Sequence, residues 1–133
     1  MGNVVGPKAK DNAAVIASDA GNAIVAFDQY QVDLAQNDTL DILKVPAGAT
    51  IIDGWVAVDT DVALLTLAAG TSESGEGSAF LAAEAAATGK VPHRFSAGLP
   101  YVCGGDRTIR ITVGGANPGA TVKFSAMVKY LLP

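Results

Sequence analysis

The chain is poor in the residues that most often carry chemistry. Its 133 residues include one cysteine, one histidine and one tryptophan. A lone cysteine makes no internal disulfide, and with a lone histidine it makes no Cys/His zinc site. Aromatic residues are only 6% and charged residues 17%, below the usual quarter. Bases are the scarcer sign, 9 against 13 acids, for a formal net charge of −4. That argues against a nucleic-acid binder, whose footprint is basic. No window approaches the roughly 18 uninterrupted apolar residues of a membrane span. The stretch Met1 to Lys8 lacks the apolar run behind a basic start that marks a signal peptide. Gly2 invites a myristoylation reading, but Gly6 stands where that motif wants Ser or Thr. Synthesis in a cytoplasm is the expectation, and Cys103 fits it.

What is present is small and apolar. Half of the chain is hydrophobic, but 24 residues are Ala, and Gly adds 15. A surface of few charges and small side chains suits a protein packed against other protein. The length is that of one domain, able to bury roughly two-thirds of its extended-chain surface without staples.

Residues 1–20 are polar, with few large apolar groups, and read as an N-terminal arm or a loosely held first strand. Residues 21–133 read as a single domain in which period-2 patterns dominate. Ile109, Ile111 and Val113 alternate with Arg110 and Thr112; Val122, Phe124, Ala126, Val128 and Tyr130 alternate with Lys123, Ser125, Met127 and Lys129. The segment between them, Gly114 to Gly119, is dense in turn residues, which predicts a hairpin. One apolar and one polar face imply an antiparallel sheet wetted on one side. Strands are also predicted over Ala23–Val32, Leu40–Val45 (closed by the turn Pro46-Ala47-Gly48), Thr50–Val58, Val62–Ala69 and Leu99–Cys103. About seven or eight strands at this spacing give the rhythm of an all-β sandwich or barrel. One stretch departs from it. Ser78 to Ala87 is alanine-rich, could be capped by Ser78 and stops at Thr88-Gly89, so a short helix is expected there. Gly70 to Gly77 reads as a flexible exposed loop.

The charges are split along the chain. Residues 11–88 hold 12 acids and one base, Lys44, whereas residues 89–133 hold six bases and one acid, Asp106. Either the two halves interleave so that opposite charges meet across strands, or a basic face meets an acidic face of a neighbouring subunit. A nucleic-acid patch is the weakest alternative, since no aromatics are interleaved with the bases.

No motif completes a catalytic set. His93 has no orienting partner near it in sequence and reads as a surface or interface histidine. Cys103 reads as a buried strand-end residue that packs as a small hydrophobe. Asp59-Thr60-Asp61 lacks the rest of a calcium loop and reads as a turn. Gly70 to Gly77 lacks the Lys-Ser/Thr ending of a phosphate loop. Glu73, Glu76 and Glu84 could form a glycosidase pair, but aromatic platforms for sugar are few. Trp55 reads as a core or inter-sheet anchor, with an interface hot spot as the alternative. The expectation is a protein that is not an enzyme, with no metal and no cofactor.

The run Leu40-Asp41-Ile42-Leu43-Lys44-Val45-Pro46-Ala47-Gly48-Ala49-Thr50, continuing through Trp55 to Thr60, resembles small structural proteins of tailed bacteriophages. So do Phe80-Leu81-Ala82-Ala83, the strand Thr108 to Val113, and a last strand ending near Tyr130. The resemblance covers about residues 38–133 and points to head decoration, or cement, proteins and other minor virion proteins. It implies a jelly-roll-like β-sandwich on the outer surface of a virion, binding major capsid protein and itself, as a homotrimer, with no nucleic-acid or membrane partner. It carries over no catalytic residues. The contact elements expected on this reading are Asn3, Val4, Val5, Lys8 and Lys10 of the arm, with Ser72, Glu73 and Glu76 of the loop. The alternative is a carbohydrate- or receptor-binding module of a phage fibre, with Tyr30, Trp55 and Tyr101 as candidate sugar platforms.

Overall fold

The computed structural model describes residues 2–6, 23–60, 62–85, 92–119 and 122–132. Its strands are β1 (Asn3–Val5), β2 (Ala23–Gln31), β3 (Thr39–Val45), β4 (Thr50–Val58), β5 (Thr66–Thr71), β6 (Leu81–Ala85), β7 (His93–Arg94), β8 (Tyr101–Val102), β9 (Arg107–Gly114) and β10 (Lys123–Leu131). The first sheet runs β1-β3-β9-β5-β6; the second runs β2-β10-β4-β7, with β8 also on β4. All pairings are antiparallel except β1 on β3. Setting aside β1 and β8, the strands interleave as in a jelly roll: the first, eighth, third and sixth in one sheet, the second, seventh, fourth and fifth in the other. The expected all-β sandwich is therefore what forms.

The inward faces make one core. Leu40, Ile42, Leu67, Ala69, Ile109, Ile111 and Val113 of the first sheet meet Ile51, Val56, Val58, Phe124, Ala126, Val128 and Tyr130 of the second. At one end of this core Phe80 stacks on Phe95 with centroids 4.9 Å apart and meets Tyr101 edge-on at 5.3 Å.

The predicted hairpin is absent, although both of its strands are present. β9 lies between β3 and β5 in the first sheet, and β10 between β2 and β4 in the second. The Gly115–Gly119 segment carries the chain across the sandwich rather than back along one sheet. β3 and β4 are likewise split between sheets by the turn at Pro46–Gly48. Alternation reports that a strand buries one face. Two strands facing each other across a core show it as clearly as two strands paired side by side.

The predicted helix is corrected too. Leu81–Ala85 is strand β6, paired with β5 from Ala69↔Leu81 to Thr66↔Ala85; no described residue is helical. An isolated helix of this length is marginal. As a strand the segment buries Leu81, with Phe80 just ahead of it, and pairs its backbone, which outweighs the helix preference of alanine. Ala86 and Ala87 lie outside the described residues.

β2 is a sheet edge among the described residues and pairs with β10 in unbroken register over its whole length. Asp28 lies on its core-facing side, and its Oδ2 is buried without a hydrogen-bond partner. An inward carboxylate on an edge strand discourages further strand addition, because a second strand would bury it more deeply. Asp28→Val should therefore raise stability by about 1–2 kcal/mol, by removing an unsatisfied group. It should also increase self-association. Chemical denaturation with parallel light scattering checks both.

Cys103 is buried at the end of β8, as expected. Desolvation pushes its thiol up from the ordinary value, and nearby Arg107 opposes this only in part. A neutral thiol is a poor nucleophile, so modification by a disulfide reagent should be at least about tenfold slower in the folded chain than in denaturant. Equal rates would contradict the burial.

Candidate functional site

The expected contact residues fall into two groups that do not meet. Asn3, Val4 and Val5 form β1, in register with Thr39, Leu40 and Asp41. The segment is tied down by Gly2 N–H donating to Asp38 Oδ1 at 2.7 Å and by Thr39 Oγ1 donating to Asn3 Oδ1 at 2.6 Å. Lys8 and Lys10 lie outside the described residues. Ser72, Glu73 and Glu76 follow β5, three strand positions from β1, or about 14 Å at ordinary strand spacing.

The loop that follows β5 is anchored rather than free, which corrects the flexible reading. Gly70 and Thr71 belong to buried β5. The Glu76 carboxylate accepts hydrogen bonds from the hydroxyls of Tyr101 at 2.6 Å and Thr71 at 2.7 Å. Glu73 pairs with Arg107 at 2.9 Å, and Ser72 Oγ accepts from the Thr108 N–H at 3.1 Å. Nothing in the sequence pairs Glu76 with Tyr101; β8 brings them together. The two hydroxyl donors favour the charged carboxylate, so Glu76 titrates below its ordinary value of 4.5. Tyr101 is moved the other way, upward, by desolvation and by its bond to Glu76. Because the Glu76 value is lowered by folding, its contribution is present above pH 4.5 and is lost as pH falls through the folded value. Melting temperature should thus fall as pH is lowered below 4.5. Glu76→Gln should have a lower melting temperature at neutral pH and a flatter acid slope, read by thermal melts across pH. An unchanged slope would sink this reading.

His93 is not a surface residue. It is buried, and its Nδ1 lies 2.6 Å from Glu84 Oε1. Because β7 belongs to the second sheet and β6 to the first, this pair joins the two sheets at their margins.

The charge split resolves in part into pairing within the chain. Arg110 on β9 grips Asp41 on β3 with two bonds, Nε to Oδ1 at 2.6 Å and Nη2 to Oδ2 at 3.0 Å. Arg94 on β7 reaches Asp53 on β4 at 2.7 Å. Each bond joins a base of the C-terminal part to an acid of the earlier part.

The outer faces of the two sheets differ. That of the first carries Thr66, Thr108, Thr112 and the Asp41–Arg110 pair. That of the second carries Val25, Phe27, Trp55 and Met127. Register sets Phe27, Met127 and Trp55 side by side on β2, β10 and β4. The Phe27 and Trp55 rings lie 5.9 Å apart, tilted by 56°. Val25 is 60% and Phe27 42% exposed. Trp55 is therefore not the core anchor expected from the sequence: Val56 beside it points inward, and Trp55 points out. The next row on the same face is Gln29, Ser125 and Ala57. There a groove opens, lined by Gln29, Ala57, Val58, Asp59, Lys123 and Ser125. Of the other candidate platforms, Tyr30 packs on the core and Tyr101 is bound to Glu76.

No family model matches the sequence, and no curated protein does. Three solved structures share the architecture. A chain from the capsid of Ralstonia phage GP4 superposes with TM-score 0.82 at 14% identity, over 98% of each chain. One from the acidic stable capsid structure of Helicobacter pylori bacteriophage KHP30 gives 0.67 at 18% identity, over 86% of this chain and 91% of that one. One from the cyanophage Pam1 capsid asymmetric unit gives 0.67 at 19%, over 94% and 96%. This chain has their fold. The likeness extends across nearly the whole of each chain, so no large insertion separates this sandwich from theirs.

Proposed function

We propose that the protein is a structural virion protein that binds the outside of an assembled phage head and stabilises it by bridging major capsid subunits. The observation that carries this reading is the full-length fold match to a phage-capsid chain, at TM-score 0.82 over 98% of both chains. The resemblance in the Leu40–Thr60 segment agrees with it. So do the strapped β1 and the anchored loop, which offer a rigid body for docking at little entropic cost. The mechanism is mass action: a ligand of the assembled shell stabilises that state over its dissociated subunits. Several modest contacts engaged together give avidity beyond any one of them. The protein turns over no substrate and acts as a homotrimer.

The test uses heads purified from a phage lacking this chain. Added protein should co-sediment saturably with the shells and raise their disruption temperature. Failure to bind empty or filled shells overturns the reading. Light scattering of the free protein should give three times the chain mass; a monomer at tens of micromolar would remove the trimer and leave shell binding to be judged by co-sedimentation.

A further inference from the structure

The outer face of the second sheet holds two features side by side. One is the aromatic row, Phe27 and Trp55 with Met127 between them. The other is a groove whose Gln29 and Ser125 lie two residues further along the same strands, about 7 Å away at strand rise, with Lys123 two residues beyond Ser125. The groove is open, with a volume of about 280 Å3. Its side chains are an amide and a hydroxyl that both donate and accept, and an ammonium that donates. Asp59, which also lines the groove and whose backbone N–H donates to the Lys123 carbonyl, offsets the single positive charge.

A pyranose ring has the complementary character. One face is a patch of C–H groups, weakly positive, which packs on the negative face of an aromatic ring. Its rim is hydroxyls, which want paired donors and acceptors. An amide and a hydroxyl held on neighbouring strands supply these with little conformational loss, because β2, β10 and β4 are in continuous register here. A nucleotide would need more cationic charge than one lysine in a groove that also holds a carboxylate. A purely apolar partner would leave Gln29, Ser125 and Lys123 desolvated and unpaired.

We propose that this face is a polysaccharide-binding site, in which a sugar ring packs against the Phe27–Trp55 pair and the hydroxyls along the sugar chain are taken by Gln29, Ser125 and Lys123. The open groove suits a residue within a chain rather than an enclosed monosaccharide. The site goes beyond the capsid-binding reading and does not depend on it.

Trp55 is the single tryptophan of the chain, so intrinsic fluorescence reports this face directly. The full protein is run through native gels cast with dextran, mannan, soluble chitin oligomers or delipidated bacterial O-polysaccharide. The polysaccharide that retards it is then titrated against Trp55 emission. At least one should retard the protein and shift the emission saturably. Gln29→Ala and Ser125→Ala, both solvent-facing, should each weaken binding about fivefold and together at least about tenfold, with melting temperature unchanged. Val102→Ser, an exposed change elsewhere, should bind as the parent does. Retardation by none of these polysaccharides overturns the proposal, as does unaltered binding by the double variant. If the double variant instead loses co-sedimentation with phage shells while no polysaccharide binds, the face is a capsid contact. That result overturns this proposal and leaves the structural-virion reading standing.

Discussion

Gly70→Ala should abolish soluble folding or cost at least about 3 kcal/mol. A methyl group at Gly70 would meet the Glu76 carbonyl oxygen at 1.8 Å, the Gly77 carbonyl carbon at 2.7 Å and the Ala79 nitrogen at 2.9 Å. All three are backbone atoms, so no side chain can swing away. The loop after β5 crosses directly over this position, and the same loop carries Glu76 to Tyr101 and Phe80 into the core. Lifting it would break the Glu76 bonds and pull Phe80 from Phe95 and Tyr101 together. Urea denaturation of the purified variant measures the cost. A melting temperature within about 2 °C of the parent would mean that the loop does not run where it is described.

Arg110→Met should cost about 2–4 kcal/mol. Asp41 is only 6% exposed, and Arg110 is its bidentate partner across β3 and β9. Removing the guanidinium leaves a carboxylate out of water with no counter-charge. The upper part of the range is tempered because the Arg110 side chain is itself 26% exposed, so water screens the pair in part. The hydrogen bonds to Asp41 hold the guanidinium charged more firmly than in solution. A second variant separates pairing from packing. Asp41→Leu/Arg110→Met should recover most of the loss, since two apolar groups of similar size replace a buried pair at little net cost. Double-mutant-cycle analysis of the denaturation energies gives the coupling. A loss below about 0.5 kcal/mol for the single variant would show a solvent-screened pair of no structural weight.

Much of the architecture is legible in the residues, and the parts that are not share a cause. Alternation in Arg107–Gly114 and Lys123–Leu131 identifies the strands and their buried faces. It is silent on which strands pair, so the two read as a hairpin that the fold splits between sheets. Ala-rich Leu81–Ala85 carries a helix preference that its edge position on β5 overrides. Trp55 is ambiguous because a bulky aromatic fits either face of a strand. Its direction is decided by register: Met127 and Phe27 stand beside it, whereas Val56 takes the core position. The loop and β1 candidates could be placed, but their partners could not. Asp38, Tyr101 and Arg107 lie 36, 25 and 34 positions from the Gly2, Glu76 and Glu73 they bind. The charge split is a long-range signal in the sequence, and one of its two readings, opposite charges meeting across strands, is what Arg110 and Asp41 do across 69 positions.

The placing of β9 and β10 has a consequence for synthesis. Each lies inside its sheet, β9 between β3 and β5, β10 between β2 and β4. Until they leave the ribosome, β3 has no antiparallel neighbour, β2 has no neighbour among the described strands, and neither sheet is continuous. The nascent chain thus emerges as a series of apolar strands without their seams, and closure waits for the last strand. Ordering then comes late and together, with no early half able to stand alone. A chain interrupted before β10 presents bare strand edges to its neighbours in the polysome.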